Sequence, residues 1–279
     1  MDICSLVISN VFLGILSFNY FVGPRIFERM SSAYRCLPPL QRLEWNCRVS
    51  STIHATLVTL LSFSSLLFDT SQWADPIASI SRPGCIALSI TIGYMLADTI
   101  SMFTFQRGLE LLLFCTHHLI VAICFTFLLI YRIAPVYAII RLTSEISTPF
   151  LNQRWFYRII GGENADKRAA NATLVFACLF TLGRYVLPFP YWVVFYRHFN
   201  SKPHLAVKHK LPSFTNYFIS CPVLLDVLNA AWGYPVFIVT KKALATLGYI
   251  RLKSKRNGMS AHNGEVGIGA YSNGNLHEE

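Results

Sequence analysis

Two adjacent histidines, His117 and His118, stand in the middle of an apolar stretch and are the residues of this chain best suited to chemistry. The stretch covers residues 109–130, about the length of a helix that crosses the hydrocarbon core of a bilayer. Ionisable side chains at that depth normally face a bundle interior, where a neutral imidazole can act as a nucleophile or a general base. The alternative is that the pair only hydrogen-bonds neighbouring helices.

Other apolar stretches also carry polar side chains at or near membrane depth. These are His54, Asp98, Arg141, Glu145, Arg184, Asp226 and Asn229. Lipid cannot satisfy such groups, so we expect a paired network around an interior cavity, with arginine-to-carboxylate bonds. Arg141 and Glu145 are four residues apart, so we expect them to share a helix face and to neutralise each other. Asp226 and Asn229 are three apart and should also share a face.

The side chains of adjacent residues on a helix point about 100° apart. His117 and His118 should therefore have different roles, one facing the cavity and the other tying its helix to a neighbour. The same divergence argues against a metal ion held by both. No HExxH spacing, glycine-rich phosphate loop, GxSxG elbow or dinucleotide fingerprint occurs in the sequence. We expect no metal and no cofactor.

The composition indicates a membrane protein. Of 279 residues, 53% are hydrophobic and 14% charged, and the mean hydropathy of +0.44 is too high for a soluble domain of this length. The net charge of +10 comes from basic residues between or after apolar stretches, where they set topology, so we expect no nucleic-acid partner. The eight cysteines have no CxxC spacing and are interpreted as small buried hydrophobic residues.

Seven apolar stretches predict an all-α polytopic transmembrane helix bundle. They cover residues 3–23, 49–68, 84–105, 109–130, 133–151, 171–196 and 213–239. The first is interpreted as a retained helix, with a signal peptide as the alternative. The fifth is too polar to face lipid, and Pro149 should kink or end its helix. A basic loop before the last stretch leaves six spans as an alternative.

The basic residues predict the orientation. With seven spans, 16 of the 24 Lys and Arg residues fall on one side and six on the other. The positive-inside rule then puts the N-terminus outside or in a lumen and the C-terminal tail in the cytosol. The tail, residues 246–279, should be disordered because it is rich in Lys, Arg, Gly, Asn and Ser. Arg48 and Arg154 would lie at the cytosolic mouth of the bundle, where their charge suits an acidic headgroup or a phosphate.

Five blocks in this order resemble the TLC-domain family, which includes ceramide synthases and translocation-associated membrane proteins. They are EWNCR with STIH (44–54), GY to D (93–98), HH (117–118), RLTSEISTPFLNQRWF (141–156) and LDVLN (225–229). The resemblance covers about residues 40–245 and leaves 1–39 as an N-terminal membrane helix and basic loop. It implies a barrel-like bundle with a cavity open to lipid, in the endoplasmic reticulum or a related membrane, and a role in lipid handling.

In ceramide synthases the paired histidines are implicated in acyl transfer, and an HDxxD pattern follows them. The corresponding residues here are 141–145, RLTSE, in which the His and the first Asp are missing and an acid remains at the last place. This departure argues against ceramide synthesis but not against lipid binding.

The sequence therefore favours a protein of lipid homeostasis that binds or remodels an acyl-chain lipid in its central cavity, and it leaves enzymatic activity open. Membrane lipids are the expected partners. One alternative is a non-catalytic structural or cargo-interaction protein, and another is a ceramide-synthase-like acyltransferase that uses acyl-coenzyme A. A transporter is a third, for which we find neither a broken-helix pair nor duplicated halves.

Overall fold

The computed structural model describes residues 3–251, and every regular element in that range is helical. The α-helices are α1 (Ile3–Ser17), α2 (Gly23–Met30), α3 (Ser32–Arg35), α4 (Pro39–Phe68), α5 (Ser71–Ala74), α6 (Arg82–Phe105), α7 (Gly108–Tyr131), α8 (Pro135–Leu142), α9 (Thr148–Ile160), α10 (Ala165–Thr181), α11 (Pro188–Phe199), α12 (Lys202–Lys210) and α13 (Phe214–Thr246). Three other helical turns connect them, namely π-helical Phe18–Val22, 3₁₀ Thr143–Ser147 and π-helical Leu182–Val186. Residues 252–279, which make up most of the predicted disordered tail, lie outside the described residues.

Six helical segments in this part of the chain are long and apolar enough to cross a membrane. They are Ile3–Met30, Pro39–Phe68, Arg82–Phe105, Gly108–Tyr131, Ala165–Phe199 and Thr215–Thr246. Their outward faces are apolar, as on α13, where Val227 and Phe237 are about 60% exposed. The predicted all-α polytopic bundle is confirmed, and six of the seven predicted spans correspond to these segments.

The remaining predicted span, residues 133–151, is an interrupted helix that runs antiparallel to α4 through the bundle. At one end Ile139 and Ser65 of α4 both lie against Gly84. At the other end the Asn152 amide donates to the Arg48 carbonyl at 3.2 Å. Positions 48 and 65 lie about 25 Å apart along α4, close to the thickness of a bilayer core. This segment crosses beside α4 although its polar composition does not mark it as a span.

The crossings divide the loops between two sides of the bundle. One side, called the basic side here, contains the α2–α4 connection, the α6–α7 turn, the α9–α10 loop and the end of α13. Contacts across it include the hydroxyls of Tyr20 and Thr104, 3.3 Å apart, and the Arg168 guanidinium above the Tyr157 ring. The opposite side contains the α4–α6, α7–α8 and α11–α13 connections, where the Ala134 amide donates to the Ile77 carbonyl at 2.8 Å.

Helix α8 lies at the centre of the core. Seven of its eight residues are buried, so its side chains contact other helices rather than lipid. Tyr137 is in edge-to-face contact with Tyr191, Phe195 and Phe218, at centroid distances of 5.6, 6.2 and 5.0 Å. These contacts join α8 to α11 and α13 and fix the position of Arg141, one helical turn further along.

Candidate functional site

A cluster of ionic groups joins the α8–α9 segment to α11 and α13 inside the bundle. The Arg141 guanidinium bonds both carboxylate oxygens of Asp226, with Nη2 to Oδ2 at 3.0 Å. Arg184 Nη2 lies 3.6 Å from Glu145 Oε1, and Arg184 Nη1 donates to Asn229 Oδ1 at 3.1 Å. The two arginines thus each have an acid on another element. Asp226 and Asn229 share a face of α13, as the sequence predicted.

The predicted pairing of Arg141 with Glu145 is wrong, because the helix changes its winding between them. Arg141 is in α8, whereas Glu145 is in the 3₁₀ turn Thr143–Ser147. A 3₁₀-helix has three residues per turn, so residues four apart no longer share a face. Glu145 is rotated toward Arg184, which itself lies in the π-helical turn Leu182–Val186, and the two irregular turns touch where Gly183 packs on Ser144.

Several residues that the sequence analysis missed complete this cluster. Trp192 Nε1 donates to Asp226 Oδ2 at 3.1 Å, and the Arg141 guanidinium lies 4.3 Å from the Tyr191 ring centre. The Thr148 hydroxyl donates to Glu145 Oε2 at 2.7 Å. Trp192 lies in the predicted span 171–196 and Thr148 directly precedes Pro149, but the sequence does not indicate the hydrogen-bond partner of either residue.

The two histidines diverge as expected. His117 lines a central cavity, its ring is edge-on to Trp232 at 5.2 Å, and its buried Nδ1 has no hydrogen-bond partner. His118 Nδ1 lies 2.9 Å from the Thr99 hydroxyl. Because Thr99 donates its proton to the Met95 carbonyl, it accepts from His118, which is then protonated on Nδ1. His118 ties α7 to α6.

His54 and Asp98 form a second polar layer between α4, α6 and α7. The His54 ring stacks on Tyr94 at 3.9 Å, and its Nε2 is 3.4 Å from the Thr91 hydroxyl. Asp98 Oδ2 is 3.9 Å from His118 Nε2. The expected single network is therefore divided in two, and His54, Asp98 and His118 do not line the central cavity.

Two small cavities adjoin beside the ionic cluster. The first, of about 40 Å³, is lined on its polar side by His117, Arg141, Ser144, Glu145, Arg184 and Asn229. The second, of about 50 Å³, has an almost entirely apolar lining that includes Cys124, Leu128, Tyr137, Tyr217 and Phe218. Phe125, Arg141 and Leu225 line both cavities. A cavity with a partly polar lining and a cavity with an apolar lining therefore meet between α7 and α13.

Arg48 and Arg154 lie on the basic side and line neither cavity. Arg48 Nη2 forms an ion pair with Glu44 at 2.6 Å, and Nη1 donates to Asn152 Oδ1 at 3.3 Å. Within residues 3–251 no group of three or more His, Cys, Asp or Glu side chains is placed to hold a metal ion.

Comparison with known proteins agrees with this architecture. The family model described as the TLC domain matches residues 44–238. The chain belongs to the TLC-domain family. The match includes the residues of both polar layers and of both cavities, and it begins within α4, after the first membrane segment. The protein is accordingly an integral multi-pass membrane protein.

Individual relatives match along most of their length. TLC domain-containing protein 4-B of Danio rerio is 30% identical over 234 residues, which are 82% of this chain and 86% of that protein. TLC domain-containing protein 4 of Homo sapiens is 25% identical over 247 residues, 88% of this chain and 91% of that protein. No solved structure is significantly similar to the chain.

Proposed function

We propose that the protein binds an acyl-chain lipid between α7 and α13, with the polar end of the lipid at the ionic cluster and its chain in the apolar cavity. The observation that carries the proposal is that the first cavity, which has charged and polar side chains on one side, adjoins the apolar second cavity and shares Phe125, Arg141 and Leu225 with it. An amphiphile has the same division into a polar and an apolar part. Membership in the TLC-domain family supports a lipid-related role.

The size of the cavities implies that the bundle opens to admit this lipid. About 40 and 50 Å³ are room for a water molecule or two, far below the roughly 300 Å³ of a small ligand pocket. Lipid entry therefore requires α7 and α13 to separate, and the acyl chain then fills the space that opens between them.

The boundary between α7 and α13 suits such an opening. Its contacts are between rings and between thiols, and a lipid chain can replace them. They are Phe114–Trp232, His117–Trp232, Phe127–Tyr217 and Cys124–Cys221. No ion pair among the described residues joins the two helices, whereas Arg141 and Arg184 hold α13 to its other neighbours. Helix α13 is thus held by charged side chains on one side and, toward α7, by contacts that a lipid chain can replace.

A pair of tryptophan substitutions tests the proposal. Leu225→Trp places a large ring where the two cavities meet, whereas Leu224→Trp places the same ring on the exposed face of α13 and is the matched control. Each protein is purified in mild detergent, and its bound lipid is measured by native mass spectrometry. We expect wild type and Leu224→Trp to retain an acyl-chain lipid. Leu225→Trp should retain about tenfold less, which corresponds to a loss of roughly 1.4 kcal/mol in binding free energy.

Equal lipid retention by all three proteins, or none by wild type, would mean that no lipid is held between these cavities. Thermal unfolding of each variant separates a lost lipid from a lost fold. The proposal also includes an endoplasmic-reticulum or related endomembrane location, which is supported by the family resemblance and is checked by co-localisation with an organelle marker.

Acyl transfer is a second candidate function, favoured by His117, which lines the first cavity and whose buried Nδ1 has no hydrogen-bond partner. An imidazole nitrogen can attack the carbonyl carbon of an acyl thioester such as acyl-coenzyme A. The carbon–sulfur bond then breaks, and the thiol leaves with the proton that the imidazole gives up. The acyl group passes next to a lipid hydroxyl or amine. His118 is held by Thr99 and cannot take this role from its present position.

The histidine variants test this second candidate. Acyl-coenzyme A is added to the purified wild type, His117→Ala and His118→Ala, and the intact mass of each is measured. An acyl transferase of this design gives an acyl adduct or an acylated lipid product with wild type and His118→Ala but with neither on His117→Ala. If all three remain folded and lipid-bound without adduct or product, the enzyme candidate is lost and lipid binding remains.

A further inference from the structure

Helix α9 carries two arginines that have no acid to neutralise them. Arg154 and Arg158 are four residues apart on one face of α9, an arrangement of like charges that destabilises a helix. No ion pair of the described residues includes either one. Arg48, the third arginine near them, is already occupied by Glu44 and Asn152. The local charge is therefore positive and uncompensated.

Arg154 is the more constrained of the two. It lies beyond Asn152, where the crossing beside α4 ends, and its Nε is buried without a hydrogen-bond partner. Burial, followed by the charges of Arg158 and Arg48, lowers the pKa of its guanidinium to about 10, so the group is still charged at neutral pH. A buried charged donor without an acceptor is costly unless an anion supplies the acceptor.

Aromatic rings beside the two arginines indicate the depth of the site. Trp155 is edge-on to Trp45 at 6.2 Å and to Phe156 at 5.3 Å, and Phe156 lies 4.9 Å from Trp45. Tryptophans are enriched at headgroup depth, where one part of the ring is apolar and another is wet. This position on the basic side of the bundle would put Arg154 and Arg158 at the level of lipid phosphates.

We propose that Arg154 and Arg158 form a binding site for the phosphate of an anionic phospholipid in the leaflet on the basic side. The guanidinium groups would donate paired hydrogen bonds to the phosphate oxygens, the geometry for which arginine is best suited. The rings of Trp155 and Phe156 would contact the glycerol and upper acyl region. This site is about 14 Å along the helix from Glu145, so it is separate from the central cavities and does not depend on the lipid proposed there.

The test compares arginine variants that remove the same charge from different places. Arg154→Gln and Arg158→Gln remove it from the site, and Arg29→Gln removes it from the exposed face of α2 on the same side. Arg158 is exposed, so its variant should fold normally even if Arg154→Gln does not. Each full-length protein is placed in nanodiscs of phosphatidylcholine containing some phosphatidic acid, and the phospholipids that remain bound are counted by native mass spectrometry.

We expect wild type and Arg29→Gln to retain phosphatidic acid in preference to phosphatidylcholine. Each site variant should bind phosphatidic acid about fivefold to tenfold less tightly, the effect of one interfacial arginine contact. An equal loss in all three variants would overturn the proposal, because it would reflect only the overall positive field. The proposal would also be overturned if wild type showed no preference for phosphatidic acid.

A competition experiment distinguishes a lipid phosphate from a soluble one. Inorganic phosphate and coenzyme A are added separately to the wild type in nanodiscs. We expect neither to displace the bound phosphatidic acid. Binding of coenzyme A that needs Arg154 and Arg158, without a preference for phosphatidic acid, would overturn the headgroup assignment and give the arginines to a soluble phosphate ligand.

Discussion

Arg141 donates two charge-assisted hydrogen bonds to the carboxylate of Asp226 in the interior of the bundle. The arginine side chain is 13% exposed and the carboxylate 30% exposed, and Trp192 donates a further hydrogen bond to Asp226. Removing one member of such a pair leaves the other partly buried and unpaired, whereas removing both removes the mismatch as well. Comparing the double variant with the two single variants therefore tests whether Arg141 and Asp226 are partners.

We predict that Arg141→Leu and Asp226→Leu each lower the stability of the fold by about 3 kcal/mol, and that the double variant recovers part of that loss. The physical reason is that each single variant leaves an uncompensated charge in the bundle. The measurement is the thermal unfolding midpoint in detergent for wild type, both single variants and the double variant.

The matched control is the double variant Arg141→Leu with Glu145→Leu. Glu145 pairs with Arg184 rather than Arg141, so this combination leaves Asp226 and Arg184 each without a residue of opposite charge. We expect it to be no more stable than the less stable of its two single variants. Recovery in this control, and none in the Arg141–Asp226 double variant, would contradict the pairing described here.

At the residue scale the sequence predicts which side chains turn inward better than it predicts their partners. The shared face of Asp226 and Asn229 and the divergence of His117 and His118 follow from the α-helical period, which holds locally in α13 and α7. The partner of Arg141 depends on how distant helices meet. Sequence spacing alone contains no information on that contact.

At the scale of elements, the ionic cluster depends on two departures from α-helical winding. The 3₁₀ turn Thr143–Ser147 directs Glu145 away from Arg141, and the π-helical turn Leu182–Val186 presents Arg184 to it. Both turns precede a proline near the start of the next helix, Pro149 in α9 and Pro188 in α11. A proline lacks an amide donor and crowds the preceding turn, so the sequence predicted an irregularity at Pro149 but not its direction.

The fifth predicted span shows why a buried crossing differs from a lipid-facing one. Its α8 portion is enclosed by other helices, so its surface need not be apolar toward lipid. Polar groups such as Glu145 and Thr148 are satisfied there by protein partners. Hydropathy measures only the tendency to face lipid, so it does not identify this segment as a membrane crossing. The number of polar residues in the segment correctly indicated an interior position.

At the scale of the whole molecule, the alternation of crossings determines which loops share a side. The α2–α4 connection and the end of α13 both lie on the basic side, and the α5–α6 loop lies on the opposite side. Basic residues favour the cytosolic side of a membrane. We therefore predict that the basic side, including Cys36, is cytosolic and that Ala78 is lumenal or extracellular.

Cysteine labelling in sealed microsomes checks this orientation. Cys36 is exposed in the α2–α4 connection, and the exposed Ala78 is substituted in the variant Cys36→Ser with Ala78→Cys. A membrane-impermeant maleimide should label Cys36 without detergent, but should label the Ala78→Cys variant only after detergent opens the vesicles. Cysteines inside the spans react poorly because the thiolate is disfavoured in hydrocarbon. The reverse pattern would invert the orientation, and labelling of both positions without detergent would mean that α4 does not cross the membrane.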